Sequence, residues 1–144
     1  MAKRHLAELK IPASAAFIPV AKRVATTLGS QLGLSLVDLD ELTIALTQAC
    51  DSAIAAAGEL SVHSELKLTY FATNHALVVD VDLIPSDRHA LPAQTRAVSD
   101  PPDHANAELQ RLAYEMIRCF VDDFRPEVEP SGHVRFRMVK YLAG

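Results

Sequence analysis

Two runs of strict alternation, set back to back, constrain this chain more than any other feature. Leu66, Leu68 and Tyr70 alternate with Lys67 and Thr69; Leu77, Val79, Val81 and Leu83 alternate with Val78, Asp80 and Asp82. Successive side chains of a strand point to opposite faces, so each run places its apolar set on one side of a sheet. Thr73-Asn74-His75 between them has turn composition, and the pair reads as an antiparallel hairpin. A hairpin alone cannot bury its apolar face, so other elements must cover it.

Those elements follow from the remaining pattern. Residues 5–11 alternate as well, Ala7, Leu9 and Ile11 against Glu8 and Lys10, and Pro12 ends this strand. Phe17, Val20, Ala21, Val24, Leu28 and Leu32 then recur three or four apart, an amphipathic helix with Pro19 in its first turn, punctuated by residues 29–35. A second helix carries Leu42, Ala45, Leu46, Ala49, Ala53 and Ile54, capped by Asp38 or Asp40 and stopped by Gly58. Its alanine-rich stripe predicts a close neighbour. A third helix spans 107–124, with Leu109, Leu112, Ala113, Met116, Ile117, Phe120 and Val121 facing inward. A second hairpin closes the chain: 124–128, the turn Glu129-Pro130-Ser131-Gly132, then Val134, Phe136 and Met138 alternating with Arg135 and Arg137.

The order β-α-α-β-β-loop-α-β-β predicts one α+β domain over residues 1–144. It is a two-layer sandwich of a mostly antiparallel, mixed sheet of about five strands with three helices on one face. Between 85 and 106 the pattern disappears in a segment rich in Pro, Asp and Ser. A loop of this length inside a compact domain is a functional lid or a disordered segment, and protease should cut it first, near Arg88 or Arg96.

Composition removes several functions. A chain of 144 residues can bury roughly 70% of its unfolded surface. At net charge −4, with no basic run beyond Lys3-Arg4, it lacks the cationic face that displaces counterions from a duplex, and direct nucleic-acid binding is not expected. No stretch approaches the ~20 apolar residues of a membrane span, and no signal peptide is visible. Cys50 and Cys119 lie in helical patterns and read as buried reduced thiols, which predicts a cytosolic protein. His89 and His104 share a segment without the spacing of a metal cluster, so no metal site is expected. Asp122-Asp123 near a helix end opposes the helix dipole; the pair is either surface charge or the seat of a basic partner.

The order of elements, and three stretches within it, resemble the anti-sigma-factor serine kinases of the histidine-kinase-like ATPase superfamily. The stretches are residues 42–54 (LTIALTQACDSAI), 120–124 (FVDDF) and 132–140 (GHVRFRMVK), and the resemblance spans nearly the whole chain. It implies that fold, an ATP and Mg²⁺ site, and exchange of a sigma factor for an anti-anti-sigma (STAS-type) protein whose serine is phosphorylated. It also implies a homodimer and a role in transcription regulation and stress response.

The site residues depart from that pattern. Where the family's second helix presents a Glu and, four residues on, an Asn, this chain has Gln48 and Ser52. Gln48 does not titrate near neutral pH, so it is no base, and Ser52 is a weaker Mg²⁺ ligand than an amide carbonyl. Asp51 stands about 100° from Ser52 round the helix and is a poor substitute. The family's Asp-x-Gly-x-Gly turn, whose Asp meets adenine, matches Asp82-Leu83-Ile84-Pro85-Ser86, keeping the acid and losing both glycines. A polar residue on the exposed face of an edge strand is the commoner explanation of Asp82. The glycine pair that holds phosphate at a helix entrance matches Arg111 and Ala113; Arg111 can meet a phosphate or simply be solvated.

These departures predict a pseudo-kinase: a vestigial site at Ser52, Asp82 and Arg111, no competent catalytic residue, no cofactor, and regulation by partner sequestration. The alternatives are an active serine kinase with an altered site, Asp82 on adenine and Ser52 or Asp51 near the metal, and a non-catalytic dimerisation module.

Overall fold

The computed structural model describes residues 3–58, 63–85, 104–130 and 133–142, with only the backbone for 104–106. Strand β1 (Arg4–Pro12) leads through a short 3-10 turn (Ala15–Phe17) into α1 (Ile18–Gln31) and α2 (Leu36–Ala57). Then come β2 (Ser64–Ala72), β3 (Ala76–Pro85), α3 (His104–Phe120), β4 (Asp123–Val128) and β5 (Val134–Tyr141). The expected loop begins where β3 ends, and its residues 86–103, with Arg88, His89 and Arg96, lie outside the described residues. So do Ser131 and Gly132 of the last turn.

The sheet has five strands in the order β1-β2-β3-β5-β4, and every pairing is antiparallel. The expected α+β sandwich is the observed fold, with no parallel pair among the described residues. Its inner face is the apolar set of each alternation: Leu66, Leu68 and Tyr70 of β2, Leu77, Val79, Val81 and Leu83 of β3, Val134, Phe136 and Met138 of β5. The described helices α1, α2 and α3 cover this face. Tyr70 reaches α1, its hydroxyl donating to the Ala21 carbonyl at 3.0 Å, and Tyr114 of α3 packs edge-on against Phe124 and Phe136.

α2 is the central helix. Leu42, Ala45, Leu46, Ala49, Cys50 and Ala53 are fully buried, and α2 packs against the sheet while touching α1 on one flank and α3 on the other. Alanines on that stripe let three neighbours approach at once. Its cap is Ser35, whose Oγ accepts the Asp38 N–H at 3.1 Å, rather than Asp38 or Asp40. Gly58 stops it at φ +58°, a conformation that a side chain disfavours. Pro19 sits in the first turn of α1, as the pattern requires.

α3 ends at Phe120, four residues earlier than expected, so Asp122 and Asp123 lie beyond the helix and its dipole. Asp122 accepts the Tyr141 N–H at 2.6 Å, and Asp123 pairs with Arg125 at 3.0 Å. Of the apolar residues of α3, Ile117 is buried, whereas Leu109, Leu112 and Met116 are 64%, 56% and 46% exposed. Cys119 is exposed too, against the expectation of two buried thiols; Cys50 alone is buried. Among the described residues, no helix is long and apolar enough to cross a membrane.

Among the described residues, the other face of the sheet carries no helix. It is covered by its own charges, Asp82 paired with Arg135 at 2.6 Å and Asp80 held by both Nε and Nη2 of Arg137 at 2.8 and 2.9 Å. These are cross-strand neighbours of the β3–β5 register, and they bring Asp80 to 3% and Asp82 to 6% exposure.

Candidate functional site

Gln48, Asp51, Ser52 and Ala55 stand three or four apart on α2, so they share one helical face. They face Leu109, Gln110 and Ala113 of α3 across an open cleft of about 440 Å³. The two helices run antiparallel. Lys140 links Phe120 at the end of α3 to Asp38 and Glu41 at the start of α2, so the cleft lies at the other end, where the first half of α3 meets the second half of α2. Small side chains at 52, 55 and 113 leave the gap between them.

The cleft brings together Gln48, Ser52 and Ala113 of the expected site and leaves out Asp82 and Arg111. Asp51, expected to point away, lines it: positions 48, 51 and 52 are i, i+3 and i+4 and lie on one side of α2. Gln110 and Leu109 are further members that the family pattern does not mark.

Asp82 is on the opposite face of the sheet. Val81 and Leu83 point to the helices, so Asp82 between them points away, and its carboxylate is taken by Arg135 with His133 at 4.0 Å. β3 is a central strand, so Asp82 is not an edge-strand residue either. Its burial comes from flanking strands rather than from a binding pocket. Arg111 stands on the outer side of α3, bound to Glu108 at 2.6 Å, with both side chains well exposed.

The described lining therefore presents one carboxylate, two carboxamides and a hydroxyl, with no lysine, arginine or glycine. Asp51 contributes the negative charge, and with burial, the larger cause, it pushes the adjacent Cys50 thiol up to about 12. That thiol stays protonated and is no nucleophile at neutral pH. The guanidinium groups of Arg135 and Arg137 are held above their ordinary value chiefly by their hydrogen bonds to Asp82 and Asp80, so those four charges are spent on one another. Among the described residues, no three His, Cys, Asp or Glu side chains gather to hold a metal ion. Comparison with protein-family models and with curated proteins finds no match to this chain.

Proposed function

We propose that the chain is a regulatory binding protein of the anti-sigma type, acting by sequestering its partner, with its ATP chemistry lost or much weakened. The observation that carries this reading is the pairing of a cleft whose described lining holds no cation with an exposed apolar stripe on its rim. A triphosphate needs cations or free N–H donors, and the described lining offers a carboxylate instead. Beside it, Leu109, Leu112 and Met116 recur at i, i+3 and i+7 along one exposed flank of α3. Grouped apolar side chains left in water mark protein contact surfaces. The partners in this reading are a sigma factor and the STAS-type protein that displaces it.

Asp51 supports a second reading. A carboxylate three residues from Gln48, in the same cleft, supplies a base or metal ligand that an altered-site serine kinase requires. Calorimetry with Mg-ATP separates the two readings: sequestration expects no heat of binding in the micromolar range, and the kinase expects it. Co-purification of the tagged chain from native cytosol tests the first directly. A sigma factor should be recovered with the natural sequence and lost with Leu112→Asp.

A further inference from the structure

Along α2, one line of side chains has the spacing of an interhelical seam. Val37, Glu41, Ile44, Gln48, Asp51 and Ala55 follow one another at steps of four, three, four, three and four residues. Such a repeat keeps a row on one side of a helix over several turns. The row is on the α3 side: Gln48, Asp51 and Ala55 line the cleft, and Glu41 meets Lys140, which is bound to Phe120 at the end of α3. A seam is normally covered. Here Val37 and Ile44 are 67% and 44% exposed, and Asp51 and Ala55 are exposed as well.

α3 carries a matching row. Leu109, Leu112, Met116 and Cys119 are spaced three, four and three apart, and all four are exposed. Leu109 shares the cleft with Asp51 and Ala55, so the two rows border one groove. At 1.5 Å per residue the α3 row runs about 15 Å, close to three turns of helix. Two rows of this period form holes that accept the side chains of a third helix, whereas an extended strand has the wrong repeat.

Charge decides which helix fits. Asp51 stands in the α2 row, and Glu115 lies about 60° round α3 from Leu112, on the side away from Ala113. Both are exposed, and neither is in an ion pair among the described residues. The cations of α3 and the lysine at its end are engaged elsewhere: Arg111 by Glu108 at 2.6 Å, Arg118 over the Phe124 ring at 5.4 Å, Lys140 by Asp38, Glu41 and Phe120. The apolar rows are thus flanked by one free carboxylate on each helix.

We propose that the groove between α2 and α3 seats one basic amphipathic helix of a partner protein. Its apolar stripe lies on Ile44, Leu109, Leu112 and Met116, and its lysines or arginines stand beside Asp51 and Glu115. The sequestration reading, on which this rests, supplies the owner of that helix.

Fluorescence anisotropy with the whole chain and two synthetic peptides tests the seat. Both peptides have leucine at heptad positions a and d over ~18 residues; one carries lysine at e and g, the other glutamate. The lysine peptide should bind in the micromolar range, and the glutamate peptide about tenfold more weakly or worse. Asp51→Lys/Glu115→Lys should invert that order, a gain that a misfolded variant would not show. Asp51→Lys alone should weaken the lysine peptide about fivefold. Glu8→Lys makes the same change of net charge on the sheet face turned away from the helices, and should weaken it less than about twofold. Equal losses from these two variants, equal affinity for both peptides, or no binding of the lysine peptide below ~1 mM would overturn the proposal. Self-association of the chain that Leu112→Asp abolishes would place a second copy in the groove and overturn it too. Undiminished recovery of a sigma factor by Asp51→Lys/Glu115→Lys would overturn it and leave sequestration standing. A chain that binds the lysine peptide as expected but captures no sigma factor would uphold the seat and sink sequestration.

Discussion

Lys140 Nζ donates to the carbonyl oxygen of Phe120 at 2.8 Å, joining the last residue of α3 to the end of β5. The ammonium sits 7% exposed, 3.8 Å from Asp38 and 3.7 Å from Glu41 in the first turns of α2. One cation thus serves the negative end of one helix and two acids near the positive end of another. Lys140→Met keeps the length of the side chain and removes the charge. It should lower unfolding stability by about 1–3 kcal/mol, read from urea midpoints at constant slope. Glu41→Gln, on a half-exposed group, should cost about 0.5 kcal/mol or less. Equal losses from the two variants would contradict this ranking.

Gly58 closes α2 at φ +58° and ψ −131°, with its N–H bonded to the Ala55 and Ile54 carbonyls. Open space surrounds the position where a Cβ would stand, so the cost of a side chain there is conformational alone. Gly58→Ala should destabilise by about 1–2 kcal/mol. A thermal melt that is unmoved would mean that the helix ends elsewhere in solution.

Burial, and secondarily Asp51, raise Cys50 from its ordinary 9.0 to about 12. The unfolded chain therefore loses this proton near pH 9 while the folded chain keeps it. Above pH 9 the unfolded state binds fewer protons, so stability present below pH 9 is lost progressively up to about pH 12. Tyr70, also raised by burial, adds a loss that begins at its ordinary 10.0. Cys50→Ala should flatten the first part of the alkaline decline. In the native state iodoacetamide should modify exposed Cys119 and spare Cys50; fast labelling of both thiols would refute the buried assignment.

No Mg-ATP affinity tighter than about 1 mM is expected. The metal-ligand position is Ser52, the described cleft lining has no glycine and no cation, and Arg111 is engaged by Glu108. Each missing polar contact costs on the order of 1–3 kcal/mol, enough in combination to move a micromolar site into the millimolar range. Gln48→Glu with Ser52→Asn should not restore binding, because the glycine elements remain absent. Micromolar affinity in the natural sequence would promote the kinase reading.

Asp80 and Arg137, paired on the sheet face turned away from α1, α2 and α3, should be energetically coupled. Asp80→Ala strands Arg137, and Arg137→Ala leaves a carboxylate 3% exposed without its partner. A double-mutant cycle should return a coupling of about 1–3 kcal/mol. Coupling near zero would mean that solvent, not the sheet, satisfies both groups.

Much of this architecture is local and was therefore legible. Alternation at 66–70, 77–83 and 134–138 and the three-to-four spacing of α1 and α2 report the two backbone periods, and these depend only on near neighbours. The same alternation assigns Asp82 to the face turned away from α1, α2 and α3, against the adenine role that the family resemblance implies. The helical period likewise puts Asp51 on one side with Gln48 and Ser52. Both facts are in the letters once period is given precedence over motif matching.

Other features were decided by tertiary structure alone. Leu109, Leu112 and Met116 have the spacing of a core stripe, yet only Ile117 at the heart of that arc is fully buried. An apolar arc states which residues can face a neighbour; how much of it is covered depends on where α2 and the sheet stand. The order β1-β2-β3-β5-β4, the groove between α2 and α3 and the meeting of Lys140 with Phe120, Asp38 and Glu41 have the same origin. Each joins groups distant along the chain, and a local period carries no information about such distances.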